Sequence, residues 1–281
     1  MKRILSGELS VVNCQLSIVN YPLFLTFALM IKISLIGSGN VARHLLTAFA
    51  ENPSVEIVQV YARSKEKAAL FADYDKITDD LQELAEADLY LICVSDKAIA
   101  EISAKLPFKN RLVAHTSGSV PLDALDEDNR KAVFYPLQTF SKSKEVDFSG
   151  VPICLETQFP TDYKILETAA RAISEKPYAI NSQQRQALHV SAVFANNFVN
   201  RLYGIAHEIC SAHQVPFDIL KPLIAETAEK VQTLSPLEAQ TGPAKRKDSV
   251  TIQAHLAFLS DPKQQDIYKI LTQSIQDAQE L

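Results

Sequence analysis

The chain has 281 residues, 47% apolar and 22% charged, with a formal net charge of -5. This length can bury the core of one large domain or two medium ones, and the acidic balance gives no electrostatic reason for a nucleic-acid partner. Four cysteines (Cys14, Cys93, Cys154, Cys210) are scattered without a CxxC pair or nearby histidines, so they read as reduced thiols in a cytoplasmic protein, not as metal ligands or disulfides.

The first 29 residues stand apart from the rest. Leu9-Ser10-Val11-Val12-Asn13 recurs as Leu16-Ser17-Ile18-Val19-Asn20, and a short apolar stretch from Pro22 to Met30 follows. Lys2-Arg3 and that stretch suggest a secretory signal, but Glu8 interrupts the segment and no small-x-small cleavage site follows. No apolar run reaches the roughly 18 residues of a membrane span. Residues 1–29 are therefore expected to be a non-native or disordered extension, with Met30 opening the fold.

From Ile31 the pattern alternates strands and helices. Ile31 to Ile36 predicts a strand, followed by a Gly-rich turn and a helix from Val41 to Ala50. Val55 to Tyr61 predicts a strand, with helices at Ser64 to Ala72 and Leu81 to Ala85. Leu89 to Val94 is a continuous apolar run, as suits a strand buried on both faces, and Asp96 is expected to cap a helix through Leu106. Strands at Leu112 to Ala114, Ala132 to Phe134, Val151 to Leu155 and Tyr178 to Ile180, with a helix from Asp162 to Ile173, complete this half. The strand signal then stops. Helices are expected from Ser182 to His213, Phe217 to Leu234, Ser249 to Leu259 and Pro262 onward. The boundary separates an α/β domain at 30–181 from an all-helical one at 182–281.

The turn Gly37-Ser38-Gly39-Asn40-Val41-Ala42 carries two of the chain's 7 glycines, directly between a strand and a helix. Gly37 permits a tight turn, Gly39 lets a pyrophosphate approach the backbone, and Ala42 keeps helix and strand close. With the helix N-terminus this makes an NAD(P) phosphate site. The fold class is thus an α/β Rossmann fold, a mostly parallel doubly wound sheet, followed by an all-α domain. At the end of the second strand an acidic residue would hold a ribose hydroxyl, but the chain has Arg63-Ser64. That pair suits a 2′-phosphate and favours NADP over NAD. Val94-Ser95-Asp96 and His115-Thr116-Ser117-Gly118-Ser119 leave the carboxyl ends of later strands. Val94, Ser95, Asp96, Ser117 and Gly118 are therefore further candidates to face the cofactor, although a cap or a turn would explain them equally.

The stretch Ile33 to Ala42, these two turns and Tyr135-Pro136-Leu137-Gln138-Thr139-Phe140 together resemble an uncharacterised family of NADP oxidoreductases. Thr241-Gly242-Pro243-Ala244-Lys245-Arg246-Lys247-Asp248 and His255-Leu256 resemble the same family's helical domain, a domain of unknown function. The resemblance runs from Met30 to the C-terminus. It implies distant kinship with pyrroline-5-carboxylate reductase, ketopantoate reductase and 6-phosphogluconate dehydrogenase, with a helical domain of the last enzyme's C-terminal type that closes the site and dimerises. Two positions depart from the pattern: Tyr135 replaces an expected His, which removes a possible acid/base group, and Lys247 replaces an expected Gly.

On the long helix Arg185, His189, Asn196, Asn200, Tyr203 and His207 fall within about 40° of one line at ~100° per residue. A solvated face is one reading of this stripe. The other takes His189 as the proton donor that hydride reduction of a carbonyl or imine requires. Angle alone does not separate Asn196 from Asn197; the family resemblance implies Asn197 as the orienting donor. In the later loop, Thr241 and Arg246 could hold a substrate carboxylate, with Asp248 orienting Arg246, or Arg246 and Asp248 could form a surface ion pair. The leading expectation is an NADP-dependent oxidoreductase of a small anionic carbonyl, imine or hydroxy acid, homodimeric through its helical half. The alternatives are a non-catalytic NADP-binding sensor and a structural dimer with a vestigial nucleotide domain.

Overall fold

The computed structural model describes residues 30–278; the expectation for residues 1–29 lies outside them. The chain divides into two compact units between Arg185 and Gln186. In the first, strands β1 (Ile31–Ile36), β2 (Val55–Tyr61), β3 (Ile77–Thr78), β4 (Leu89–Ile92), β5 (Leu112–His115), β6 (Arg130–Pro136), β7 (Ile153–Thr157) and β8 (Pro177–Ala179) form one sheet. Their order is β3-β2-β1-β4-β5-β6-β7-β8. Pairing is parallel from β3 through β6, antiparallel between β6 and β7, and parallel again between β7 and β8. The mostly parallel Rossmann-type sheet followed by helices is the expected fold class.

Alternation along each central strand builds two cores. Leu89 and Leu91 of β4 join one cluster with Leu35, Leu45, Phe49 and Phe134. Tyr90 and Ile92 join the other with Ile36, Ile99 and Val113. All four β4 residues are buried because helices or loops cover both faces of the sheet. The helices of this unit are α1 (Asn40–Ala50), α2 (Lys65–Ala68), α3 (Ile99–Ala104) and α4 (Tyr163–Arg171).

Several boundaries differ from expectation. The helix expected over Ser64 to Ala72 is only the single turn α2, after which Phe71 and Ala72 both bond back to the Ala68 carbonyl and pack on Ala62, Ala68 and Ile77. Tertiary packing, not helix propensity, ends it. Asp96 does not cap a helix: Ser95 holds that position ahead of a 3-10 turn, Asp96–Ala98, that leads into α3. Leu81–Glu83 is likewise a 3-10 turn.

The second unit contains only helices and turns among the described residues. Helix α5 (Ser182–Ala192) begins in the first unit and runs through a π-helical turn, Val193–Phe198, into α6 (Val199–Ala212). Then come α7 (Lys221–Thr233), α8 (Pro236–Ala239), α9 (Ser249–Phe258) and α10 (Pro262–Asp277). Ser235 and Glu238 form a capping box, and Asp261 caps α10 ahead of Pro262. Among the described residues no helix is long and apolar enough to cross a membrane.

Candidate functional site

Strand β1 lies between β2 and β4, so the chain leaves it at the point where strand order reverses, the usual ligand crevice of such sheets. Gly37 follows at φ +136°, and a Cβ there would lie 2.3 Å from the Cys93 carbonyl oxygen. Only glycine fits. Gly39 is different: a Cβ would meet Cys93 O at an ordinary 3.9 Å, so the protein itself leaves room there and the missing side chain opens the loop toward the crevice. Gly39 is also the N-cap of α1, with no side-chain cap and no acidic residue in the first turn. The amides of an 11-residue helix therefore present their positive end unopposed. Ala42 is fully buried against the strand layer.

A cleft of about 830 Å³ opens from this turn. Gly37, Ser38, Gly39, Asn40 and Val41 line it after the central β1. Arg63 and Lys67 line it beyond β2, Val94 and Ser95 beyond β4, and Lys105, Phe140 and Lys142 also reach it. The Asn40 side-chain amide donates to the Phe140 carbonyl at 2.9 Å, which ties the segment after β6 to the start of α1. Lys105 is engaged by Glu101 at 2.5 Å, whereas Arg63 and Lys67 form no ion pair among the described residues. Glycine-lined helix amides after the central β1, with cations that form no ion pair on the β2 side, suit an extended, polyanionic dinucleotide. Sequence reasoning does not single out Lys67, Lys105 or Lys142; Lys67 had a signal, lying in the first turn of the helix expected directly after Arg63.

Four expected cofactor residues do not line this cleft. Ser64 caps α2, its hydroxyl donating to Glu66 at 2.7 Å and accepting from the Lys67 amide at 3.4 Å. Asp96 accepts from the Ser119 hydroxyl at 2.7 Å. Ser117 and Gly118 turn their carbonyls to Arg185, at 3.2 and 3.1 Å. Beside them His115 is buried, its Nδ1 accepting from the Ser117 amide at 3.2 Å while Nε2 has no hydrogen-bond partner among the described residues. Burial, and then the Arg185 charge, lower its pKa to about 4, so it is neutral at physiological pH. Burial also raises the Cys93 thiol to about 12, which makes it inert, and raises the half-buried Tyr135 phenol.

The remaining candidates lie in the second unit. His189 is half-buried on α5, and Asn197 is exposed in the π turn. The single polar stripe expected along this helix does not survive. Arg185 is buried in the first unit. A π turn holds about one residue more than an α turn, setting later residues back by about 100°. Asn200, Tyr203 and His207 thus leave the line of His189, Asn196 swings about 90° away, and Asn197 comes to within about 20° of it. Thr241 and Arg246 are exposed. Asp248 caps α9, accepting from the Thr251 amide at 3.1 Å and hydroxyl at 2.7 Å; these bonds, and after them the Arg246 charge, lower its pKa. Lys247 has φ +54°, the left-handed conformation that explains a glycine in the family pattern.

Residues 32–117 match the family described as NADP oxidoreductase, coenzyme F420-dependent, and residues 151–275 match a domain of unknown function, DUF2520. The second match starts before β7, so it includes the last strands of the sheet. No curated protein matches the chain. Among solved structures, BF3122 from Bacteroides fragilis, provisionally assigned as an NADP oxidoreductase, is 39% identical, covering 89% of this chain and 99% of its own at a TM-score of 0.79. A reductive aminase from Aspergillus terreus, in complex with NADPH and ethyl levulinate, shares the fold at 14% identity, covering 89% of this chain and 94% of its own with a TM-score of 0.66. So does 1-pyrroline-5-carboxylate reductase from Streptococcus pyogenes, at 13% identity, 88% and 98% coverage and a TM-score of 0.58. Its likeness to BF3122 over nearly the whole of both chains, with both domains matched, makes this protein a member of the NADP oxidoreductase family that carries a DUF2520 domain.

Proposed function

We propose that the protein is an NADP-dependent oxidoreductase acting on a small anionic carbonyl, imine or hydroxy acid. The observation that carries this reading is the pair of unpaired cations, Arg63 and Lys67, lining the cleft beyond β2, where a carboxylate would select NAD. A planar guanidinium and an ammonium together favour a 2′-phosphate. The Aspergillus reductase of this fold holds NADPH. When bound, NADPH supplies a hydride. Residues 30–181 serve as the dinucleotide domain, and residues 182–281 as a substrate and dimerisation domain of the 6-phosphogluconate-dehydrogenase C-terminal type.

In this reading His189 delivers a proton to the substrate, Asn197 orients it from the same side of the helix, and Thr241 with Arg246 receives its carboxylate. Asp248 acts on that loop from its place as the α9 cap. Exposed apolar side chains of the second unit, among them Phe194 at 65%, Ile219 at 66% and Ile270 at 68%, support a homodimer formed through it. The buried free thiols Cys93 and Cys154 suit the cytoplasm.

A second reading, a sensor that holds NADP without turnover, is favoured by Tyr135: the family pattern has a histidine there, and burial moves the phenol's pKa further from neutrality, which makes it a poorer acid/base group. Calorimetric titration with NADPH and NADH tests the first reading. Arg63→Ala should weaken NADPH by about 10- to 100-fold, with little change for NADH; equal losses would overturn the NADP assignment. NADPH oxidation across a panel of keto acids and cyclic imines separates enzyme from sensor.

A further inference from the structure

Arg185 is 1% exposed, and its fork reaches Glu156, the Ser182 hydroxyl at 3.4 Å and a loop after β5. Nε and one terminal nitrogen donate to the Glu156 carboxylate at 3.2 and 3.0 Å. The other terminal nitrogen donates to three carbonyls of one short loop: Ser117 at 3.2 Å, Gly118 at 3.1 Å and Val120 at 2.7 Å. Glu156 is held in turn by the Ser182 hydroxyl at 2.6 Å. A buried ion pair adds little stability over a well-packed apolar replacement, because desolvation cancels most of the attraction. What this one provides is geometry: three carbonyls are drawn to a single nitrogen.

The loop so held is tight. The Ser117 hydroxyl accepts from the Ser119 and Val120 amides at 3.1 Å each. Ser119 then donates to Asp96 at 2.7 Å, and Asp96 follows Ser95 and Val94, which line the cleft. Contact therefore runs unbroken from Glu156 through Arg185 and the loop after β5 to the rim of the cleft after β4. A dinucleotide with its 2′-phosphate at Arg63 would cross the β1 switch point toward that rim.

We propose that Arg185, clamped by Glu156, is a positioning residue that sets the nicotinamide-side rim of the cleft through the Ser117–Val120 loop and the Ser119–Asp96 bond. The inference rests on the dinucleotide reading and is tested with two ligands, NADPH and adenosine 2′,5′-bisphosphate, which lacks the nicotinamide half. Arg185→Met should weaken NADPH about tenfold and the bisphosphate by less than about twofold, and Arg185→Lys should recover part of the loss. Ser119→Ala leaves the buried pair intact at an exposed position and should weaken NADPH about threefold, again sparing the bisphosphate. If Arg185→Met does not fold, Ser119→Ala decides. Equal losses for both ligands, or unchanged NADPH affinity in Ser119→Ala, would overturn the proposal. Wild-type protein that binds neither ligand would overturn the cofactor reading and this proposal with it.

Discussion

In the first unit, strands such as β4 and β5 are buried along their whole length; in the second, Ile205, Ala244 and Ile252 are the buried apolar residues among those described. The second unit meanwhile exposes Phe194, Phe198, Ile219, Leu223, Phe258 and Ile270. A sheet covered on both faces completes a core from its own chain, whereas helices with so few buried side chains do not offset their conformational entropy alone. The contrast extends to chemistry. Every residue lining the cleft belongs to the first unit, and every candidate proton donor or carboxylate receptor belongs to the second.

The sharpest way to break this comparison is at His189. If the second unit carries the chemistry alone, His189→Gln should lower turnover by about 10²- to 10⁴-fold with NADPH affinity nearly unchanged. Loss of NADPH affinity in steady-state and binding measurements would remove the division of labour. The next effect is on stability. Leu91→Ala should cost about 2–5 kcal/mol in denaturant unfolding, because Leu91 is fully buried. Phe194→Ala should cost far less within a protomer but should shift the monomer–dimer equilibrium in sedimentation, and an unmoved equilibrium would count against dimerisation through that face.

His115 sharpens the comparison through pH. Its folded pKa of about 4 lies below the ordinary 6.5, so the unfolded chain takes up the proton first as pH falls. The first unit should keep this contribution above about pH 6.5 and lose on the order of 3 kcal/mol by about pH 4. His115→Asn retains an acceptor for the Ser117 amide and should flatten that slope; an unaltered slope would mean other groups govern it. The smallest effect belongs to Lys247, whose φ of +54° disfavours a side chain. Lys247→Gly should stabilise the second unit slightly in thermal unfolding, by up to about 1 kcal/mol, and a loss of stability would show that the lysine's own contacts outweigh the backbone strain.

Local sterics made much of the first unit legible. Gly37 is readable because a positive φ and a close carbonyl admit nothing else, and the β4 run is readable because double burial leaves no polar position. Arg63 was legible as the cation at the end of β2, since strand and turn are both local signals. Other features depended on residues distant in the chain. Arg185 reads as one more polar residue on a helix until Glu156 and the Ser117–Val120 carbonyls surround it, 29 and 65 to 68 positions away. Ser64, Asp96 and Asp248 carry side chains fit for ligands, but the nearest hydroxyls and amides engage them first. Periodicity could not choose between Asn196 and Asn197, because that method assumes an unbroken α-helix and the π turn adds a residue. By itself, then, the sequence determined the strand–turn–helix of the phosphate loop and the order of the elements, which short-range backbone preferences dictate. Only the tertiary structure decided which polar groups remain available in the cleft, because that depends on which partners the fold brings within hydrogen-bond distance.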